Sequence, residues 1–302
     1  MEDNVTSQNI NQIKEMIKEY FLNKLGEDSE VYKLIEERLR NLQIDLKEND
    51  EFSSYYKERM GENARLPAGC YDPVNKKVVV RSSQYGRELN FRNMSVLVHE
   101  IIHALSHGGE DKLGLCQYDQ GLGRGFNEMA TCYITSQICK GRNAGYPKDH
   151  DCVFNMFLRT TKIEDRELYE LFFRTQNWLS QDILNRFNID DPESLKELIR
   201  LYDVRNDTEK FDRAKVLKIL HRSAMKNQIK DDEIYKSNFN EYRDYWNDIR
   251  SDLKDMNELA EEIRREQKDI SFQNAVEATM KRHQEQLEQG TMNLSPKEVG
   301  GE

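Results

Sequence analysis

Apolar residues recur at helical spacing through residues 8–25, at Ile10, Ile13, Ile17, Phe21 and Leu25, and Gly26 follows as a natural stop. Ser29 is placed to cap a second stripe formed by Val31, Leu34, Ile35, Leu39 and Leu42. Both helices read as packing elements. Residues 51–63 are polar and predict irregular chain or a short helix. From Arg65 the pattern changes. Ala68-Gly69-Cys70-Tyr71 leads into the turn formers Asp72-Pro73-Val74-Asn75, then into a run holding Val78, Val79 and Val80, which predicts a β-hairpin. The apolar run Met94 to Leu105 predicts a buried helix, capped by Asn90 or Asn93, with Val96, Leu97, Ile101, Ala104 and Leu105 facing the core. It should end at His107-Gly108-Gly109, where glycine adopts the left-handed conformation of a helix stop. A Gly-rich loop reaches Gly125, and a second helical pattern runs from Phe126 to Ser136 with a stop at Gly141.

Asn143 to Asp151 reads as a loop. From Glu164 the pattern is helical, through Leu168, Leu171, Phe172 and Leu179, then Ile183, Leu184 and Phe187. Asp190-Asp191-Pro192 starts another helix, with Leu195, Leu198 and Ile199 following. Val216, Leu217, Ile219 and Leu220 mark one more stripe, and Trp178 and the Phe residues read as core. Residues 231–290 are long, charged and helical, a solvated hairpin or a surface for a protein partner. Gly290 to Glu302 reads as a tail. The expected divisions are 1–63 for the N-terminal helices, 64–225 for a central α+β domain, and 226–302 for the charged helical extension with its tail.

Chemistry concentrates in His99-Glu100-Ile101-Ile102-His103, an H-E-x-x-H run inside the buried helix. Residues four apart stack on one helical face. His99 and His103 can thus aim two imidazoles at a point about 2.0–2.1 Å from each, as Zn²⁺ requires. Glu100 is offset by one residue, suited to hold and deprotonate a water there. Glu128, near the start of the second helix, can complete a His₂Glu site with a fourth position left for water. A buried helix carrying two incidental histidines is the plainer alternative, and Cys132 in place of Glu128 is another. His107, one turn beyond His103, lies either at the metal's rim or as a solvated helix-end histidine.

His99-Glu100-Ile101-Ile102-His103 together with Gly125-Phe126-Asn127-Glu128-Met129-Ala130-Thr131 resembles the gluzincin (thermolysin-like) zinc metallopeptidases, over roughly residues 64–140. The resemblance implies His99, His103 and Glu128 as Zn²⁺ ligands and Glu100 as general base. It also implies an α+β, zincin-like catalytic domain. Its parts would be a small mixed sheet with an edge strand, the HExxH helix and a glutamate helix, followed by a largely helical C-terminal part. In that family an Asp stands four residues after the ligand Glu and orients a zinc histidine; here Cys132 occupies the position, with Thr131, Cys132 and Thr135 as candidate substitutes. The hairpin resembles the one that precedes the zinc helix in zincins, which makes Val78, Val79, Val80 and Arg81 the candidate edge strand for an extended peptide substrate. An oxyanion donor is expected after the glutamate helix, with Tyr146 and His150 preferred over Tyr169 and His221.

Composition narrows the rest. A net charge of −10 argues against a nucleic-acid partner. No apolar run approaches the roughly 18 residues of a membrane span. The acidic start Met1-Glu2-Asp3-Asn4 lacks the pattern of a signal peptide, and five cysteines without a C-x-x-C pair favour reduced thiols, so a cytoplasmic location is expected. Two functions stand: a zinc metallopeptidase acting on peptides or proteins, or a catalytically inactive zincin-fold protein that binds or regulates.

Overall fold

The computed structural model describes residues 2–64, 66–81, 91–109, 112–117, 121–140, 149–174 and 192–203, with isolated positions at 215–216, 219–220, 222–223, 227 and 265. Contacts divide the chain into two compact units, Met1–Trp246 and Asn247–Glu302. Of the second unit, and of the helices expected over 231–290, Arg265 alone is described. The first unit is α+β, mostly helical, with two small sheets.

Helix α1 (Glu2–Leu25) ends at Gly26, whose φ of +82° continues no right-handed helix. Helix α2 (Glu30–Asn41) starts where Ser29 Oγ accepts from the Tyr32 N–H. Ile13, Ile17 and Phe21 on α1 and Val31, Ile35 and Leu39 on α2 are buried, as their spacing demands. Tyr32 joins that buried face, whereas Leu34 stays half-buried. Phe21 meets Tyr169 and Phe173 edge-on, each at a ring separation of 5.2 Å. The N-terminal helices therefore share a core with later ones.

Strand β1 (Gln43–Lys47) was not foreseen. Leu42 reads from the sequence as the last position of the α2 stripe, but its backbone is already extended at φ −68° and ψ 123°. The chain leaves the helix one residue early and pairs in parallel with β3 along its whole length. Helix α3 (Asn49–Met60) follows where irregular chain or a short helix was expected, with Phe52 as its buried anchor. The hairpin is as expected: β2 (Gly69–Asp72) and β3 (Lys77–Arg81) run antiparallel. In its turn, Asp72 Oδ1 accepts from the N–H groups of Val74 and Asn75. Burial alone would raise the Asp72 carboxyl; hydrogen bonds from Tyr55 and Asn75, with Arg59 beside it, bring it down to about 2.

The sheet order β1-β3-β2 corrects one expectation. Val78, Val79, Val80 and Arg81 do not form an edge. β3 is the central strand, hydrogen-bonded to β1 on one side and β2 on the other, and its three valines are fully buried. A strand paired on both sides has no backbone groups left for a substrate.

Helix α4 (Phe91–Leu105) carries the H-E-x-x-H run. Asn93 lies inside it and is not its cap; Asn90 lies outside the described residues. The helix ends without the expected glycine stop. Ser106 donates its N–H to Ile102 O and its hydroxyl to His103 O, and Arg38 of α2 donates to Leu105 O at 2.6 Å. The chain then enters a three-stranded antiparallel sheet where a loop was expected: β4 (His107–Gly109), β5 (Lys112–Leu113) and β6 (Cys116–Gln117). Helix α5 (Arg124–Ile138) packs on α4 and on α6 (Asp149–Thr161). Helix α7 (Asp165–Tyr169) runs on into a π-helical turn (Glu170–Arg174), and α8 (Pro192–Asp203) begins at the expected proline. Trp178, Leu179, Ile183, Leu184, Phe187 and Leu217 lie outside the described residues. No helix among the described residues is long and apolar enough to cross a membrane.

A buried lysine ties the β4–β6 sheet to the π-helical turn after α7. Lys112, 4% exposed, donates to Leu171 O at 3.1 Å. Burial, reinforced by neighbouring Arg38, draws its pKa down to about 7. An unfolded lysine titrates near about 10.4, so across the interval from about 7 to 10 the unfolded chain binds more protons than the folded one. Stability should therefore rise with pH through that window. Lys112→Met should flatten the rise, which thermal unfolding between about pH 7 and 9 will read. An unchanged slope would remove Lys112 as its source.

Candidate metal centre

His99 and His103 project from the face of α4 that meets α5, while Leu97, Val98, Ile101, Ile102 and Leu105 are buried around them. The two imidazoles are 1% and 5% exposed. Glu128 sits in the second turn of α5, opposite them. Its Oε2 lies 3.2 Å from His99 Nε2 and its Oε1 lies 3.3 Å from His103 Nε2. The two Nε2 atoms are 3.0 Å apart. Donors bound at about 2.05 Å to one tetrahedral ion stand roughly 3.3 Å from each other. The donor types and separations fit such an ion, and among the described residues these three form a group able to hold a metal.

Several contacts aim this set. Gly123, the first residue of the α5 cap, has no side chain to satisfy the helix N-terminus. Asp203, the last residue of α8, does so instead: its two oxygens accept from Gly123 N and Gly125 N, both at 2.7 Å. Asn127 Oδ1 accepts from Leu115 N at 2.8 Å, which turns its amide nitrogen toward His103 Nδ1. Gly114 makes room for that side chain. A Cβ there would come within 2.1 Å of Asn127 Oδ1, and φ is +56°.

Each imidazole is also backed from α5. Thr131 Oγ1 is 3.4 Å from His103 Nδ1 and Cys132 Sγ is 4.0 Å from His99 Nδ1. Thr131 donates its own proton to Asn127 O, so toward His103 it acts as acceptor. Cys132 thus faces the far nitrogen of His99, not the shared point, and does not replace Glu128. Of the expected substitutes, Thr131 and Cys132 reach the imidazoles, whereas Thr135 Oγ1 is buried with no hydrogen-bond partner among the described residues.

Electrostatics follow from packing three polar groups out of water. Burial works against an ionised Glu128, but the two imidazoles overcome it and hold the carboxyl well below its ordinary value. Burial likewise opposes a charged His103, and Glu128 with Glu100 outweighs it and raises the imidazole. Glu100 is raised by loss of water, which the imidazoles and a hydrogen bond from the Tyr71 N–H offset only in part. That amide belongs to β2, which packs on α4.

The remaining candidates fall elsewhere. His107 is in β4, and its Nδ1 is hydrogen-bonded to Tyr71 Oη at 2.8 Å; it is not part of the donor group. Tyr169 is no oxyanion donor: it is fully buried and hydrogen-bonded to Tyr20 Oη at 2.6 Å. His150 is the second residue of α6 with its side chain outside the described set, and Tyr146 and His221 lie outside the described residues. Tyr71, Asn127 and Asp203 were missed. Only Asn127 carried a local signal, as the neighbour of Glu128 in the sequence.

Comparison with family models, with curated proteins and with solved structures finds no match to this chain. His103→Ala should abolish stoichiometric zinc in metal analysis of the purified protein. Unchanged metal content would overturn the ligand set.

Proposed function

We propose that the protein is a zinc-dependent metallopeptidase built on a zincin-like fold, hydrolysing peptide bonds with Glu100 as general base. The observation that carries this reading is the mutual spacing of His99 Nε2, His103 Nε2 and Glu128, 3.0 to 3.3 Å, with Glu100 on the same helix. A bound Zn²⁺ supplies Lewis acidity and brings the pKa of a water toward about 7.

Glu100 accepts a proton from the attacking water and returns it to the departing amine. Its carboxyl, raised by loss of water, is the stronger base toward the attacking water. The Tyr71 N–H holds one side of the Glu100 carboxylate.

The substrate's main chain runs along β2 and not β3. Arg81 N donates to Ala68 O, so Ala68, Cys70 and Asp72 face β3 while Gly69 and Tyr71 turn their backbone groups outward. Extended peptides add to such a margin by main-chain hydrogen bonding. Among the described residues Cys70, Cys116, Cys132 and Cys139 form no disulfide, in keeping with the reducing compartment expected from the sequence.

A second reading, an inactive zincin-fold binding protein, is favoured by the sulfur of Cys132 where His99 would gain more from a carboxylate. Casein hydrolysis with and without a chelator separates the two. Glu100→Gln should keep stoichiometric zinc and lose roughly 100-fold or more in hydrolysis. A variant as active as the wild type would take Glu100 out of the mechanism.

A further inference from the structure

We propose that His107 is a positioning residue for Glu100: its hydrogen bond to the Tyr71 hydroxyl pins β2 to the end of α4, so that the Tyr71 amide stays on the Glu100 carboxylate. The inference rests on and deepens the proposed function, since it concerns the group read there as the base and the strand read there as the substrate margin.

Tyr71 is engaged at both ends. Its N–H donates to the Glu100 carboxylate, and its Oη lies 2.8 Å from His107 Nδ1, with the two rings edge to face at 5.7 Å. The pleat of β2 sends the side chain that way. A Cβ on Gly69 would stand 3.4 Å from Glu100 Cγ, so that face of β2 is turned to α4, and Tyr71, two residues on, shares the face. His107 comes one residue after the turn that ends α4. Its place is fixed by Ser106, whose N–H donates to Ile102 O and His103 O, and by its own pairing with Leu113 of β5.

The other anchors of β2 lead elsewhere. Within the described sheet the strand pairs with β3, and Asp72 at its end accepts from Tyr55 and Arg59 of α3. Those bonds hold β2 to the sheet and to α3; the Tyr71–His107 bond holds it to the end of α4. Both partners are half-buried, so water takes the hydroxyl when the bond is lost. A hydrogen bond weakens steeply as its distance and angle worsen. A small lift of this edge strand from α4 would therefore release Glu100 from its held orientation.

The test uses the full chain and reads hydrogen exchange of the residue 71 amide by NMR in the metal-free protein, beside zinc content and hydrolysis in the loaded one. Tyr71→Phe and His107→Ala should each speed that exchange about 10-fold, and the double variant should add little more. The double-mutant cycle isolates this pair from whatever else either side chain touches. His107→Gln, which keeps a side-chain acceptor, should restore part of the protection. In the loaded protein kcat should fall roughly 10-fold with zinc still stoichiometric. A merely structural bond would instead lower the melting temperature and speed exchange alike along β2 and α4, which overturns the positioning role. If His107→Ala fails to fold, Tyr71→Phe, which removes a single hydroxyl, decides. Exchange at residue 71 within about twofold of wild type in Tyr71→Phe also overturns it, while leaving the metal site and the base standing. A wild type that cleaves no peptide, with the residue 71 amide still deprotected in Tyr71→Phe, removes the proposed function and upholds the hold on Glu100.

Discussion

Two imidazoles and a carboxylate meet within 3.3 Å of one another between α4 and α5, and much of the surrounding structure serves that encounter. Polar groups taken out of water cost free energy unless they are paired. Without a cation, Glu128 and a protonated His103 compensate each other, which is why one is shifted down and the other up. A dication would displace that proton and satisfy all three donors together. The same geometry can therefore act as a folded ion pair and could hold a metal ion.

Holding the encounter needs parts of the chain that are far away in sequence. The glutamate helix has no cap of its own, and Asp203 supplies one from the end of α8. The other helix ends on a carbonyl taken up by Arg38 of α2. Arg38 also donates to Phe173 O, so the same guanidinium joins the end of α4 to the turn after α7. Asn127 links α5 to the chain between β5 and β6 through Leu115 N. Each contact satisfies a helix terminus or buried amide that would otherwise be orphaned, and each fixes the aim of a donor residue.

What the sequence revealed and what it hid divide along range. The spacing of His99 and His103, the Ser29 cap, the Asp72-Pro73 turn and the Pro192 helix start are local, written within a few neighbouring residues. Glu128 was legible because it opens a helix of its own. The position of β3 within its sheet was not legible. The hairpin looks the same whichever strand lies outside, and the choice is made by β1, some thirty residues upstream, whose exit from α2 turns on the backbone of Leu42. The bond between Tyr71 and His107, the burial of Tyr169 against Tyr20 and the reach of Asp203 are likewise tertiary facts with no period or motif to announce them.

That hidden strand alters the reading of the site. With β1 covering one side of β3, the outward-facing margin beside α4 falls to β2. The backbone groups on its outer margin belong to the buried Gly69 and the half-buried Tyr71, whose amide reaches the Glu100 carboxylate. A peptide aligned on β2 would therefore lie against the strand that also orients the base. In the proposed function, strand addition and proton transfer would share one backbone segment, so a shift of β2 by a single residue would turn Gly69 and Tyr71 inward and misplace both together.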